Sequence, residues 1–276
     1  MRPEGFVLTY HSQNISGPTY ATNDHVAFDE SLALVQSLNI PVLRLLDVVT
    51  ALRARTFSRL PSRFVCITFD DGPDYDWKPV NHPAQGIQIP MIDILRKHSS
   101  RFLGKWWLRK MFATSFVIAS PQARKDISGS SAENPDRMSD EWWGPAQASG
   151  FMDIGTHGWN HVHPSVAEMK YSPELVEAFH KIDSRKQADL QIKTAAEYIR
   201  EKAKGDAAKL FAYPYGQVSE YLVKEYLPAQ SQILGAFTTV DRPLTFDCDI
   251  WQLPRYVCGW HWTSNEELGR LLAGTR

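Results

Sequence analysis

Phe64-Val65-Cys66-Ile67-Thr68-Phe69-Asp70-Asp71-Gly72-Pro73 is the stretch from which the fold can be read. Its first six residues, β-branched or aromatic except Cys66 and almost all apolar, read as a buried strand, and the Gly-Pro pair breaks that strand and turns the chain. Between them stand two adjacent carboxylates, which repel one another at a strand end unless a cation or an arginine compensates them. Asp-Asp-Gly-Pro is also an ordinary turn sequence; the apolar strand that delivers it is what singles it out.

Working outward, further apolar runs read as strands: Phe6 to Tyr10, Pro41 to Leu43, Ala113 to Ala119, Phe151 to Gly155, Leu210 to Tyr213, Leu234 to Val240 and Trp251 to Val257. Helical patterns lie between them, at Ser31 to Leu38, Asp47 to Arg55, Met91 to Lys97, Pro173 to Lys202 and Ser219 to Tyr226. Such alternation predicts an α/β fold of parallel strands joined by helical crossovers, in one domain spanning residues 1–276. Polar residues punctuate the strand ends: His11, Asp70 with Asp71, His157, Tyr215 with Gly216, and the region of Arg255. In a barrel of parallel strands the carboxyl ends converge on one mouth, where such enzymes do their chemistry. Tyr75 to Pro90 and Ser120 to Pro145, rich in Pro, Ser, Asn or Gly, read as long loops that would shape access to that mouth.

His157-Gly158-Trp159-Asn160-His161 carries two imidazoles four residues apart, a spacing that places both on one face of a helical turn and suits a shared zinc-like ion. The spacing also arises by chance, so a carboxylate nearby is the needed third donor. Two histidines and one carboxylate leave places on the metal for water and substrate. His163 could replace His161, but its spacing suits an extended strand and it ranks behind.

Four motifs in order, Thr68-Phe69-Asp70-Asp71-Gly72-Pro73, Ala113-Thr114-Ser115-Phe116-Val117, His157 to His161, and Ala212-Tyr213-Pro214-Tyr215-Gly216, resemble the polysaccharide deacetylase family, carbohydrate esterase family four, over roughly Phe6 to Val257. The resemblance implies a distorted (β/α)7 barrel of the NodB-homology type. It implies Asp70 as general base, Asp71, His157 and His161 as metal ligands, and the Tyr215 backbone N–H as oxyanion donor. A divalent metal follows as cofactor, zinc first, with cobalt, nickel, iron or manganese compatible with the same donors.

Two positions depart from the common family pattern. The late histidine that serves as acid has only His261, in Gly259-Trp260-His261-Trp262, as a candidate. His11, in Leu8-Thr9-Tyr10-His11, is the favoured alternative and resembles a subgroup of poly-N-acetylglucosamine deacetylases with an early catalytic histidine. Ala212 stands where many members carry the arginine that pairs with the base; Arg255, in Leu253-Pro254-Arg255-Tyr256-Val257, is the candidate replacement, though it also reads as a surface arginine.

Composition bounds the partners. The chain of 276 residues has 30 basic and 31 acidic side chains and a formal charge of −1, which leaves no electrostatic footprint for nucleic acid or an anionic membrane. No window approaches a membrane span, and no secretion signal is visible, so a cytoplasmic location is expected. Cys66, Cys248 and Cys258 lack the pairing of a metal or redox motif and receive no role. Of the nine tryptophans, Trp106-Trp107 and Trp142-Trp143 read as core or loop anchors, and Trp159, between two proposed ligands, is the candidate for lining the site. No coiled-coil seam indicates an oligomeric state.

The expected function is hydrolytic removal of an acetyl group from the amide nitrogen of an N-acetylated saccharide. Alternatives are a cytoplasmic amidohydrolase of a small cyclic amide, a deformylase of a nucleotide- or lipid-linked sugar, and a non-catalytic carbohydrate-binding barrel.

Overall fold

A computed structural model of the protein describes residues 2–99, 110–130, 137–163, 165–166, 178–230 and 232–274. The strands are β1 (Glu4–Tyr10), β2 (Arg63–Phe69), β3 (Val80–His82), β4 (Gly86–Gln88), β5 (Ala113–Val117), β6 (Met152–Thr156), β7 (Leu210–Ala212), β8 (Gly235–Phe237) and β9 (Tyr256–Val257). The α-helices are α1 (Asp24–Ser37), α2 (Leu45–Arg53), α3 (Met91–Ser99), α4 (Pro121–Ser130), α5 (Trp143–Ala148), α6 (Arg185–Ala188), α7 (Ala195–Ala203) and α8 (Asn265–Ala273).

Among the described residues, seven strands form one sheet in the order β8-β7-β6-β5-β2-β1-β9, and every pairing in it is parallel. The expected strand from Trp251 to Val257 is divided between the two edges of that sheet. Leu253 bridges Phe237 at the end of β8, while Tyr256 and Val257 pair with β1. Pro254, which has no N–H to give a ladder, stands at the changeover. One segment thus touches both edges and curls the sheet into the expected distorted (β/α)7 barrel.

Side chains alternate faces along a strand, and this period places the site. Phe6, Leu8 and Tyr10 of β1, with Val65, Ile67 and Phe69 of β2, face outward against Phe28 and Leu32 of α1 and Leu271 of α8. Val7, Phe64, Cys66, Phe116, Leu210, Ala212, Phe237 and Leu253 form the inner cluster, with Val48 and Val49 of α2 packed into it. Continuing the inner rows toward the carboxyl ends gives Thr9 then His11, and Thr68 then Asp70. Likewise β6 leads to His157 and the Leu253 row leads to Arg255. The hydroxyls of Thr9 and Thr68 hydrogen-bond across two strands at 2.8 Å, just below the mouth.

Several elements differ from the sequence reading. The Tyr75–Pro90 segment contains the β3–β4 hairpin, and Ser120–Pro145 contains α4 and the start of α5. A start signal for α4 is present: Pro121 has the fixed φ that suits a first helical position, and Ser120 Oγ accepts the Ala123 N–H at 3.1 Å. Composition masked it. Pro41–Leu43 contributes a single parallel bridge, Val42 to Val65. Of the long helix expected from Pro173, residues 173–177 lie outside the described residues. The helix begins at Arg185 and passes through a π-helical turn, Asp189–Thr194, between α6 and α7. Trp106 and Trp107 also lie outside the described residues. The three cysteines are free, with Cys66 and Cys258 buried. No helix among the described residues is long and apolar enough to cross a membrane.

Candidate active site

The adjacent carboxylates at the end of β2 are separated by the backbone. Asp70 continues the inner row, while strict alternation would send Asp71 outward. Asp71 instead adopts φ 71°, and Gly72 follows at φ 71°. A Cβ on Gly72 would lie 2.5 Å from Val117 Cγ1, so glycine is the residue that fits this turn. Non-glycine residues in the left-handed region are uncommon and gather where function demands a direction for a side chain.

Asp70 is buried and faces Arg255, which is fully buried. Arg255 Nη1 donates to Asp70 Oδ1 at 2.7 Å and Nη2 to Oδ2 at 2.9 Å, a fork-to-fork pair. Arg255 Nε donates to the Thr238 carbonyl at 3.1 Å, and its guanidinium lies 5.3 Å from the Phe116 ring centroid. Burial alone would push the Asp70 carboxyl up, but the charge of Arg255 and the hydrogen bonds it donates overcome it and hold the group well below the usual carboxylate range. Arg255 thus occupies, from the segment just before β9, the place beside Asp70 that Ala212 cannot fill.

His157 and His161 meet Asp71 as the spacing suggests, though not on a helix. Gly158 has φ 85°, and His161 and Val162 have φ 59° and 53°, so the segment is an irregular turn. Asn160 knits it: its Oδ1 accepts from the Val162 N–H at 3.0 Å and from Gln191 Nε2 at 2.8 Å. His157 Nδ1 hydrogen-bonds the Ala212 carbonyl at 2.9 Å, which fixes its proton on that nitrogen and turns Nε2 inward with a free lone pair.

These donors fit a metal ion. His161 Nε2 lies 3.2 Å from His157 Nε2 and 3.3 Å from Asp71 Oδ1, and His157 Nε2 lies 3.7 Å from Asp71 Oδ1. A tetrahedral ion with bonds of about 2.0–2.2 Å separates its ligands by roughly 3.3–3.6 Å. Burial pushes the His161 imidazole down to about 3, so it is neutral at physiological pH. A neutral imidazole can give its Nε2 lone pair to a cation, and His157 Nε2 offers its own to the same space. Asp71, His157 and His161 also form the one group of potential metal donors found among the described residues.

His11, Asp70, Asp71, His157, His161 and Tyr215 line a single cavity of about 440 Å³. His11 Nδ1 has no hydrogen-bond partner among the described residues. His261 lines a different depression, beside Thr263 and Arg270, and its Nδ1 accepts the Val257 N–H at 2.7 Å. His163 reaches the cavity wall, with Nδ1 taken by the Ser165 N–H at 3.2 Å. Trp159 packs edge-on against Tyr198 and does not line the cavity; exposed Trp260 does. Tyr215 has φ 55° and sets its ring edge against His161 at 4.6 Å between centroids.

The family model for polysaccharide deacetylases matches residues 58–232. The chain belongs to the polysaccharide deacetylase family. It is a hydrolase of the class that acts on carbon–nitrogen bonds and deacetylates sugars. The match takes in Asp70, Asp71, His157, His161 and Tyr215 but not His11 or Arg255, the two candidate replacements for residues of the common pattern.

Solved structures with the same fold include IcaB from Ammonifex degensii, with a TM-score of 0.66 at 19% identity, covering 99% of this chain and 98% of that one. Streptococcus pyogenes deacetylase PplD, solved in complex with acetate, gives 0.65 at 16% identity, with 99% of each chain covered. A polysaccharide deacetylase from Bacillus cereus gives 0.63 at 15% identity, covering 98% of this chain and 69% of that one. No curated protein matches the chain significantly.

The deacetylase also holds residues that sequence reasoning missed. Gln13 Nε2 donates to Asp71 Oδ2. Asp76, fully buried, accepts from Ser12 Oγ at 2.5 Å and Ser115 Oγ at 2.6 Å. Burial, aided by the Asp71 and Asp70 charges, pushes the Asp76 carboxyl up to about 7 against the pull of those hydroxyls. Neither residue stands in a motif with recognisable spacing, and only the packing of β1 beside β2 brings them to the site.

Proposed function

We propose that this deacetylase removes an acetyl group from the amide nitrogen of an N-acetylated saccharide, with a divalent metal held by Asp71, His157 and His161. The observation that carries the reading is the convergence of Asp71 Oδ1, His157 Nε2 and His161 Nε2 beside an arginine-paired Asp70 in one cavity. PplD, a structural neighbour, was solved with acetate, the product such a reaction releases.

Amide hydrolysis needs a polarised carbonyl, an activated water and a protonated leaving nitrogen. A divalent ion, zinc by expectation, would polarise the acyl oxygen and acidify the attacking water, which lets a weakly basic carboxylate accept its proton. Asp70 takes that proton, and Arg255 keeps the carboxylate ionised and aimed. The Tyr215 N–H donates to the oxygen on which negative charge develops. His11 delivers a proton to the departing nitrogen, and the cavity walls hold the sugar.

Elemental analysis of the purified protein, paired with acetate release from N-acetylated sugars, tests this reading. We expect near-stoichiometric metal and acetate release in the wild type, and loss of both in His157→Ala. A wild type that takes up no metal on reconstitution rejects the metal assignment, and full metal without acetate release from any sugar rejects the substrate class.

The acid is tested separately. His11→Asn should lower kcat by about 10²–10⁴-fold, while His261→Asn stays near wild type. A loss confined to His261→Asn in steady-state assays would reverse the assignment.

A further inference from the structure

We propose that Gln13 is a positioning residue that restricts Asp71 to one-oxygen coordination, so that the metal keeps open places for water and substrate. The proposal rests on the metal reading above. Asp71 Oδ1 is the oxygen that faces His161 and His157, and Oδ2 is taken by the Gln13 amide. A carboxylate that used both oxygens would fill one of the places a catalytic site has to leave free. An N–H donor on the second oxygen prevents that and fixes the lone pair offered by the first.

The direction of the amide follows from charge. Turned over, Gln13 would set its own oxygen against a carboxylate oxygen. With Nε2 on Asp71, Oε1 is left buried and without a partner among the described residues. The orientation therefore rests on the N–H donated to Asp71, which an oxygen turned to the same place would replace with repulsion.

The backbone around Gln13 is clamped at each step. Asn14 N–H closes a turn on the His11 carbonyl at 2.8 Å, and the His11 N–H donates to Asp24 Oδ2 at 2.7 Å. Ser12 Oγ donates to Asp76, and the Ser12 carbonyl meets His25 Nε2 at 2.9 Å; the other nitrogen of that ring meets the Ile89 carbonyl at 2.7 Å. The turn that carries His11 into the cavity therefore also delivers a fixed amide to Asp71. Asp71 needs such a partner because its left-handed backbone alone does not set the rotation of its carboxylate.

Gln13→Met keeps the length of the side chain and removes the donor; Gln13→Asn keeps the amide but falls one methylene short. Zinc affinity is measured by chelator competition, and the visible spectrum of the cobalt(II) form reports coordination number, since cobalt with few ligands absorbs far more strongly than six-coordinate cobalt. Both variants should lose zinc affinity by about 10–100-fold, and their cobalt band should weaken as the second carboxylate oxygen enters. Wild-type affinity and spectrum in either folded variant overturn the role of Gln13 while leaving the metal reading intact. A wild type that binds no metal overturns both.

Discussion

Asp70→Asn should lower kcat for deacetylation by about 10²–10⁴-fold, the usual contribution of a general base, while the protein still binds its metal. Asparagine matches aspartate in shape, so the cavity is kept, but it cannot take a proton. Arg255 loses its anionic partner yet retains the Thr238 carbonyl as an acceptor. The three metal donors belong to other side chains, and Asp70 approaches the nearest of them, His157 Nε2, only at 3.8 Å. Elemental analysis and steady-state kinetics on the same preparation separate the two effects. Turnover within tenfold of wild type at full metal content would remove Asp70 from the chemistry, and loss of metal together with turnover would make it a ligand. A protein that only binds sugar should show no functional change at all.

How much of this was legible in the chain depended on which features have a period. The inner rows that end in His11, Asp70, His157 and Arg255 follow from strand alternation, so a correct reading of β1, β2 and β6 already pointed their carboxyl-terminal residues at a common mouth. The histidine pair was readable as a donor pair, but its geometry was not: a spacing of four suggested a helical turn, and Gly158, His161 and Val162 achieve the convergence through positive φ instead. Asp71 is a similar case, since alternation would have turned it away from the histidines it faces. Trp159 could be read either as lining the site or as packed inward, because proximity in sequence to two donors says nothing about which side of an irregular turn a ring occupies, and it packs against Tyr198. Gln13 and Asp76 were invisible for a further reason. Their roles come from the parallel pairing of β1 with β2, which brings together residues 58 and 64 positions apart, and glutamine, serine and aspartate in loops have no signature of such contacts.

Arg255→Met should be the most destabilising single change near the site, with a loss of about 3–5 kcal/mol at pH 7, the range for removing one partner of a buried ion pair. Both side chains are enclosed, Arg255 at 0% and Asp70 at 4% exposure, so water cannot replace the lost cation. The pH dependence identifies the cause. In the wild type the Asp70 carboxyl is held below its unfolded value, so its contribution is present above the ordinary carboxylate pKa near 4 and is lost only as the pH falls through the depressed folded value. In Arg255→Met burial acts without its main opponent and raises that carboxyl. Protonation then relieves the buried charge, so the variant recovers stability relative to wild type as the pH falls from 7. Denaturant unfolding at several pH values should show the gap between the two proteins narrowing toward acid, and the acidic limb of the activity profile should move to higher pH as the base becomes easier to protonate. A gap under about 1 kcal/mol, or one that does not change with pH, would mean that the pair contributes packing alone.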